Sequence, residues 1–155
     1  MKRNVFTKAS MNPTVIMMFK EALLGNPEAL YEVGICLSRT NIEEGRKEAV
    51  KYWRKSAELG NPDAQYALGL SLEAGTGIEQ NVDEAMVWYT KAAKQGNLDT
   101  LLYAGKDLLS GEGTLKQNIT LGLKWLFKAK EQKCQAASDI LDSFFYDDEE
   151  EEEEE

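Results

Sequence analysis

The side chains able to act as nucleophile, acid–base pair or metal ligand are few in kind in this chain. It has 155 residues, two cysteines (Cys36 and Cys134), 27 carboxylates and no histidine. Without imidazole there is no Ser-His-Asp or Cys-His relay and no His-ligated metal. Cys36 and Cys134 lie far apart and fit no ligand spacing, so they read as reduced structural thiols of an intracellular protein. A carboxylate-only hydrolase needs two acids facing across a cleft, and Glu73 with Asp99 or Asp107 is the pair it would draw on. Acids on helical surfaces are ordinarily solvated. The expectation is therefore no catalytic residue, no cofactor and no metal.

The carboxylates are unevenly placed. Asp147, Asp148, Glu149, Glu150, Glu151, Glu152, Glu153, Glu154 and Glu155 form an unbroken run of nine acids. The formal net charge of −9 belongs to that run, because the rest of the chain balances 18 acids against 18 bases. Such a run repels itself and buries nothing, so residues 147–155 read as a disordered tail. It has neither the turn nor the spaced ligands of an EF-hand loop. It reads either as a solubilising or charge-balancing extension, or as a lure for a basic partner or an intramolecular cover for a basic patch.

An acidic balance argues against nucleic-acid binding. No apolar run reaches the roughly 18 residues of a membrane span. The stretch Val15 to Phe19 is short and is followed by Lys20-Glu21, so it does not read as a secretory signal. The expected location is the cytoplasm, with the nucleus as a second possibility, and the expected state in isolation is a monomer.

The elements that would position these side chains come from an internal repeat. Residues 25–34 read GNPEALYEVG and residues 60–69 read GNPDAQYALG, identical at six of ten positions. GNLDTLLYAG follows at 96–105 in the same frame. Glu48 to Trp53 recurs as Glu84 to Tyr89, and Gly122 to Leu126 continues the series. Each Gly-Asn-Pro closes one helix and opens the next. Glycine supplies the left-handed cap, asparagine the N-cap, and proline the first helical position. Asn81 with Glu84 fits a capping box.

Small and apolar residues at helical spacing (Ala64, Ala67, Leu68, Ser71, Leu72; Ala85, Trp88, Tyr89, Ala92) predict two helices per unit. Gly34, Gly69 and Gly105 fall inside helices and predict close helix approach, with Ala49 or Ala85 as the small partner. Trp53, Trp88 and Trp125 read as recurring core positions.

The reading is an all-α superhelix over 13–146, preceded by an arm over 1–12. Its units span about 27–59, 62–95 and 98–132. A lone helix at 13–24 matches a second half-unit, and 135–146 matches a first half-unit with Leu141 and Phe145 on the core side. Asp142 replaces the repeat glycine there and makes a polar cap. The expected count is seven helices.

These residues resemble the Sel1-like repeat family, a relative of the tetratricopeptide repeats. Its unit runs roughly A-x-x-x-L-G-x-x-Y-x-x-G-x-G-V, then D-x-x-x-A-x-x-W-Y-x-K-A-A-x-x-G. Ala64, Leu68, Gly69, Leu72, Gly75, Gly77, Ile78, Asn81, Ala85, Trp88, Tyr89, Lys91, Ala92, Ala93 and Gly96 carry the match. The resemblance implies a right-handed solenoid of antiparallel helix pairs used as a scaffold or adaptor. Some cysteine-rich members have been described as β-lactamase-like, but their cysteine pair in each repeat is missing here.

On that fold the first helix of each unit lines a concave face. A helical wheel turns Glu28, Tyr31, Ile35 and Ser38 outward in the first unit. It does the same for Asp63, Tyr66, Leu70 and Glu73 in the second, and for Asp99, Leu102, Lys106 and Leu109 in the third. The pattern is an apolar-aromatic stripe with an acidic rim, suited to a basic-flanked amphipathic peptide or helix of a partner protein. The competing expectation is that neighbouring first helices bury this stripe. An acidic-tailed chaperone or carrier for basic proteins is the alternative function.

Overall fold

In the computed structural model, residues 12–40 and 42–146 are described. The expected acidic tail, and the arm apart from Asn12, lie outside the described residues. Eight helices follow in order: α1 Pro13–Leu23, α2 Pro27–Ser38, α3 Glu43–Glu58, α4 Pro62–Ala74, α5 Val82–Lys94, α6 Leu98–Ser110, α7 Ile119–Glu131 and α8 Gln135–Tyr146. The expected count of seven is one short, since a leading helix, three pairs and a closing half-unit make eight. No strand occurs among the described residues. The closest packing is within the pairs α2·α3, α4·α5 and α6·α7, so the fold is a helical-repeat solenoid.

Local chemistry sets the helix ends. The side chains of Asn26, Asn61 and Asn97 accept from the backbone N–H groups of Ala29, Ala64 and Thr100, one per first helix. Asn81 and Asn118 do the same for α5 and α7. The capping box at Asn81 is one-sided. The Glu84 carboxylate accepts instead from Arg54 Nη1 at 2.8 Å and Trp88 Nε1 at 3.2 Å, tying α5 to α3. The Arg54 hydrogen bond holds the Glu84 carboxyl below the usual carboxylate range. Gly25, Gly60 and Gly96 turn the chain with φ of 83°, 96° and 80°. In the fourth such place Lys133 takes a left-handed φ of 62°.

The main core runs from α3 to α8, through Leu68, Leu72, Tyr89, Leu101, Leu108, Leu126 and Leu141. A separate small cluster of Ala22, Ala29, Leu30 and Val33 joins α1 to α2. Trp88 and Trp125 are buried, as expected. Trp53 is only half-buried, and the tryptophan spacing of 35 then 37 hides a register shift. Trp53 aligns with Tyr89 and Leu126, whereas Tyr52 aligns with Trp88 and Trp125.

That register also corrects the partner of the helical glycines. A Cβ on Gly34 would stand 2.3 Å from Trp53 Nε1, and one on Gly69 would stand 2.4 Å from Tyr89 Cε1. The space is filled by a ring rather than by Ala49 or Ala85. Phe145 departs from expectation too, at 48% exposure. It aligns with buried Leu72 and Leu108, which the second helix of their own unit covers. Among the described residues no such helix follows α8.

Candidate partner-binding face

The first helices α2, α4 and α6 put one face toward a pair of adjoining grooves. The first has a volume of about 560 Å³ and is lined by Tyr31, Ile35, Trp53, Tyr66, Leu70 and Glu73, among others. The second has about 630 Å³ and takes in Asp99, Leu102, Lys106, Asp107 and Ile140. Tyr66, Glu73, Tyr103 and Thr114 belong to both and form the divide between them.

The divide is a built polar cluster. Glu73 is 5% exposed and has no basic partner among the described residues. Its Oε2 accepts from Tyr89 Oη at 2.6 Å. Its Oε1 accepts from Tyr103 Oη at 3.2 Å and Thr114 Oγ1 at 2.6 Å. Tyr66, Tyr89 and Tyr103 gather around it with ring centroids 6.1–6.3 Å apart. Burial, then the charge and hydrogen bond of Glu73, push the Tyr103 phenol up to about 12. Burial first and the Glu73 hydrogen bond second raise Tyr89 further. These hydroxyls therefore stay protonated near neutral pH and serve Glu73 as donors.

Most of the stripe expected from sequence is present. Tyr31, Ile35, Tyr66 and Leu70 are half-buried and share the first groove. Asp99, Leu102 and Lys106 line the second. Ser38 joins the first groove as the wheel placed it.

Two residues depart from the wheel. Leu109 is 4% exposed and belongs to the core, and Glu73 is buried rather than outward. They occupy the same repeat position, 36 residues apart. Gly122 of α7 comes close enough that a Cβ there would meet Leu109 N at 2.7 Å. Thr114 reaches Glu73 from the loop after α6. A wheel knows only its own helix, not the loop and helix that cover it.

The rim is also more structural than expected. Asn61 Nδ2 donates to Glu28 Oε2 at 2.9 Å, and Asn97 Nδ2 donates to Asp63 Oδ1 at 2.7 Å. Asn61 and Asn97 thus tie their units to the acid one unit before. Cys134 stands where the next asparagine would be, and the Asp99 carboxylate has no hydrogen-bond or ion-pair partner among the described residues. Even so, these acids set the local field. Tyr31 is raised by burial first, then by Asp63, Glu32, Asp99 and Glu28. Tyr66 is raised by burial, then Asp99 and Glu73.

Sequence reasoning missed Trp53, Tyr103, Thr114 and Arg46 as groove residues. Tyr103 aligns with Ala67, so a tyrosine in a small-residue position was the available signal. Arg46 lines the first groove with its Nε 3.3 Å from Glu43 Oε2, so its charge is already partnered. Among the described residues, no group of three or more Cys, Asp or Glu side chains is placed to hold a metal ion. No described helix is long and apolar enough to cross a membrane.

The family model of the Sel1 repeat matches residues 23–61, 62–97 and 102–134. The chain belongs to the Sel1 repeat family. It is similar to a Sel1 repeat protein from Oxalobacter formigenes, with 31% identity and a TM-score of 0.70 over 86% of this chain. It is also similar in fold to c5321, a protective antigen present in uropathogenic Escherichia coli strains and displaying an SLR fold. That likeness has 24% identity and a TM-score of 0.66 over 83% of this chain. The chain spans 60% and 32% of the lengths of these two structures. No curated protein matches it. Sel1 repeats generally mediate protein–protein interaction as non-catalytic scaffolds.

Proposed function

We propose that the chain is a scaffold or adaptor that holds a peptide or helix of a partner protein along the face of α2, α4 and α6. The observation that carries this reading is the first groove, where Tyr31, Ile35, Trp53, Tyr66 and Leu70 are all half-buried along one concavity. Apolar anchors left partly open in a concave surface suit the apolar face of an amphipathic helix. The free carboxylate of Asp99 beside that face favours basic flanks on the partner through charge complementarity.

Selection from a displayed random-peptide library tests the reading. Enriched peptides should carry apolar residues at helical spacing between lysines or arginines. Ile35 belongs to neither buried cluster, so Ile35→Asp should weaken those peptides about tenfold or more. The same change should shift stability by only about 0.5 kcal/mol. Equal binding by Ile35→Asp and the parent chain would remove the groove from the argument. The nine-acid run from Asp147 to Glu155 supports a carrier for basic proteins as the second reading. Deleting residues 147–155 separates the two. Loss of peptide binding that was itself salt-sensitive would favour the tail.

A further inference from the structure

We infer that the first groove is a site for a cationic head group, and that the head group is the ammonium of a lysine, free or methylated, on the bound partner peptide. The inference deepens the scaffold reading and rests on it for the source of the cation. Its basis is the pairing of an aromatic enclosure with a buried, uncompensated charge.

Tyr31, Trp53, Tyr66 and Tyr103 line one cavity of about 560 Å³, with Glu73 in its wall. Four aromatic side chains line that one volume, and a cation is the ligand that aromatic ring faces favour. Glu73 supplies the matching charge. It is 5% exposed, and the groups that reach it are three neutral hydroxyls, those of Tyr89, Tyr103 and Thr114. Hydroxyl donors stabilise a carboxylate without cancelling its charge. A carboxylate has about four acceptor directions, so one stays open with three hydroxyls bound. The Tyr103 bond, at 3.2 Å, is the longest of the three and the easiest to exchange.

An ammonium seated against the wall that Tyr66, Tyr103 and Glu73 form would meet rings and a carboxylate together, where partial burial screens each attraction less than bulk water does. Arg46, the one cation on this cavity's wall among the described residues, makes its ion pair with Glu43 and none with Glu73. The acids near Tyr31 and Tyr66 add to the negative field along the same face.

Choline and its neutral isostere 3,3-dimethylbutan-1-ol, titrated into the full chain, test the inference through the amide and indole N–H resonances in NMR. Choline should move the Trp53 indole signal saturably, and the isostere should bind about tenfold more weakly or not at all. Glu73→Gln should weaken choline about tenfold. Tyr103→Leu, at a residue already 42% exposed, is the second variant should Glu73→Gln fail to fold. It should weaken choline about fivefold. Choline binding no better than the isostere overturns the inference whatever the displayed peptides do. In a peptide that Ile35→Asp has shown to sit in the groove, replacing each lysine by norleucine should cost about tenfold at one position. If choline binds and no such lysine exists, the assignment to a partner lysine falls while the scaffold reading stands.

Discussion

Gly69 has no room for a methyl group. Its Cβ would lie 2.4 Å from the ring of Tyr89, which is fully buried and pinned by its hydroxyl to Glu73. The ring cannot swing aside without breaking that bond. Gly69→Ala should therefore cost about 1–3 kcal/mol by overpacking, against a helix-propensity gain of about 1 kcal/mol. Gly105 holds the same repeat position, but its nearest neighbour is Leu126 Cγ at 3.2 Å. A leucine end can give by a few tenths of an ångström, so Gly105→Ala should lie within about 1 kcal/mol of the parent chain. Urea midpoints of the two variants decide the point, and the reverse ranking would refute the role given to Tyr89. Helical glycines at repeat spacing were legible in the sequence. What filled the space was not, because a one-residue shift in the tryptophan register placed Trp53 and Tyr89, not Trp88, over the glycines.

The N-cap asparagine of α4, like that of α6, does two jobs. Its Oδ1 caps its own helix and its Nδ2 reaches the acid of the preceding unit, as at Asn61 and Asn97. At α8 the cysteine in that place offers neither bond, although Cys134 O already accepts from Ser138 N as an N-cap carbonyl does. Cys134→Asn should thus add a cap and a bridge to Asp99, raising stability by about 1 kcal/mol. Cys134→Ala, which adds neither, should show no gain in thermal unfolding. If both variants match the parent chain, the bridge has no energetic weight. The caps themselves were readable from Gly-Asn-Pro. The second job was not, because it joins residues 33 and 34 apart across two units.

The solenoid does not have one continuous core. The small cluster joining α1 and α2 is separate from the main cluster that runs from α3 to α8. Each unit of a repeat array leans only on its neighbours, so the end with the smaller cluster should open first. Native-state hydrogen exchange should show α1 and α2 exchanging faster than α4 to α7, with uniform protection as the outcome against it. The groove straddles that boundary, since Tyr31 and Ile35 come from α2 and Tyr66 and Leu70 from α4. A partner seated there should slow exchange in α2 most.

Sequence alone determined the repeat, the helix boundaries near each Gly-Asn, and most of one outward stripe. These depend on local rules: glycine's left-handed turn, asparagine's short acceptor and the 3.6-residue period. Tertiary structure alone decided that Glu73 and Leu109 are covered and that Trp53 and Tyr103 line the grooves. It also decided that Glu28 and Asp63 bind the asparagine of the next unit. Those outcomes depend on which loop or ring from another unit arrives at a given surface, and no helical wheel drawn for one helix contains that information.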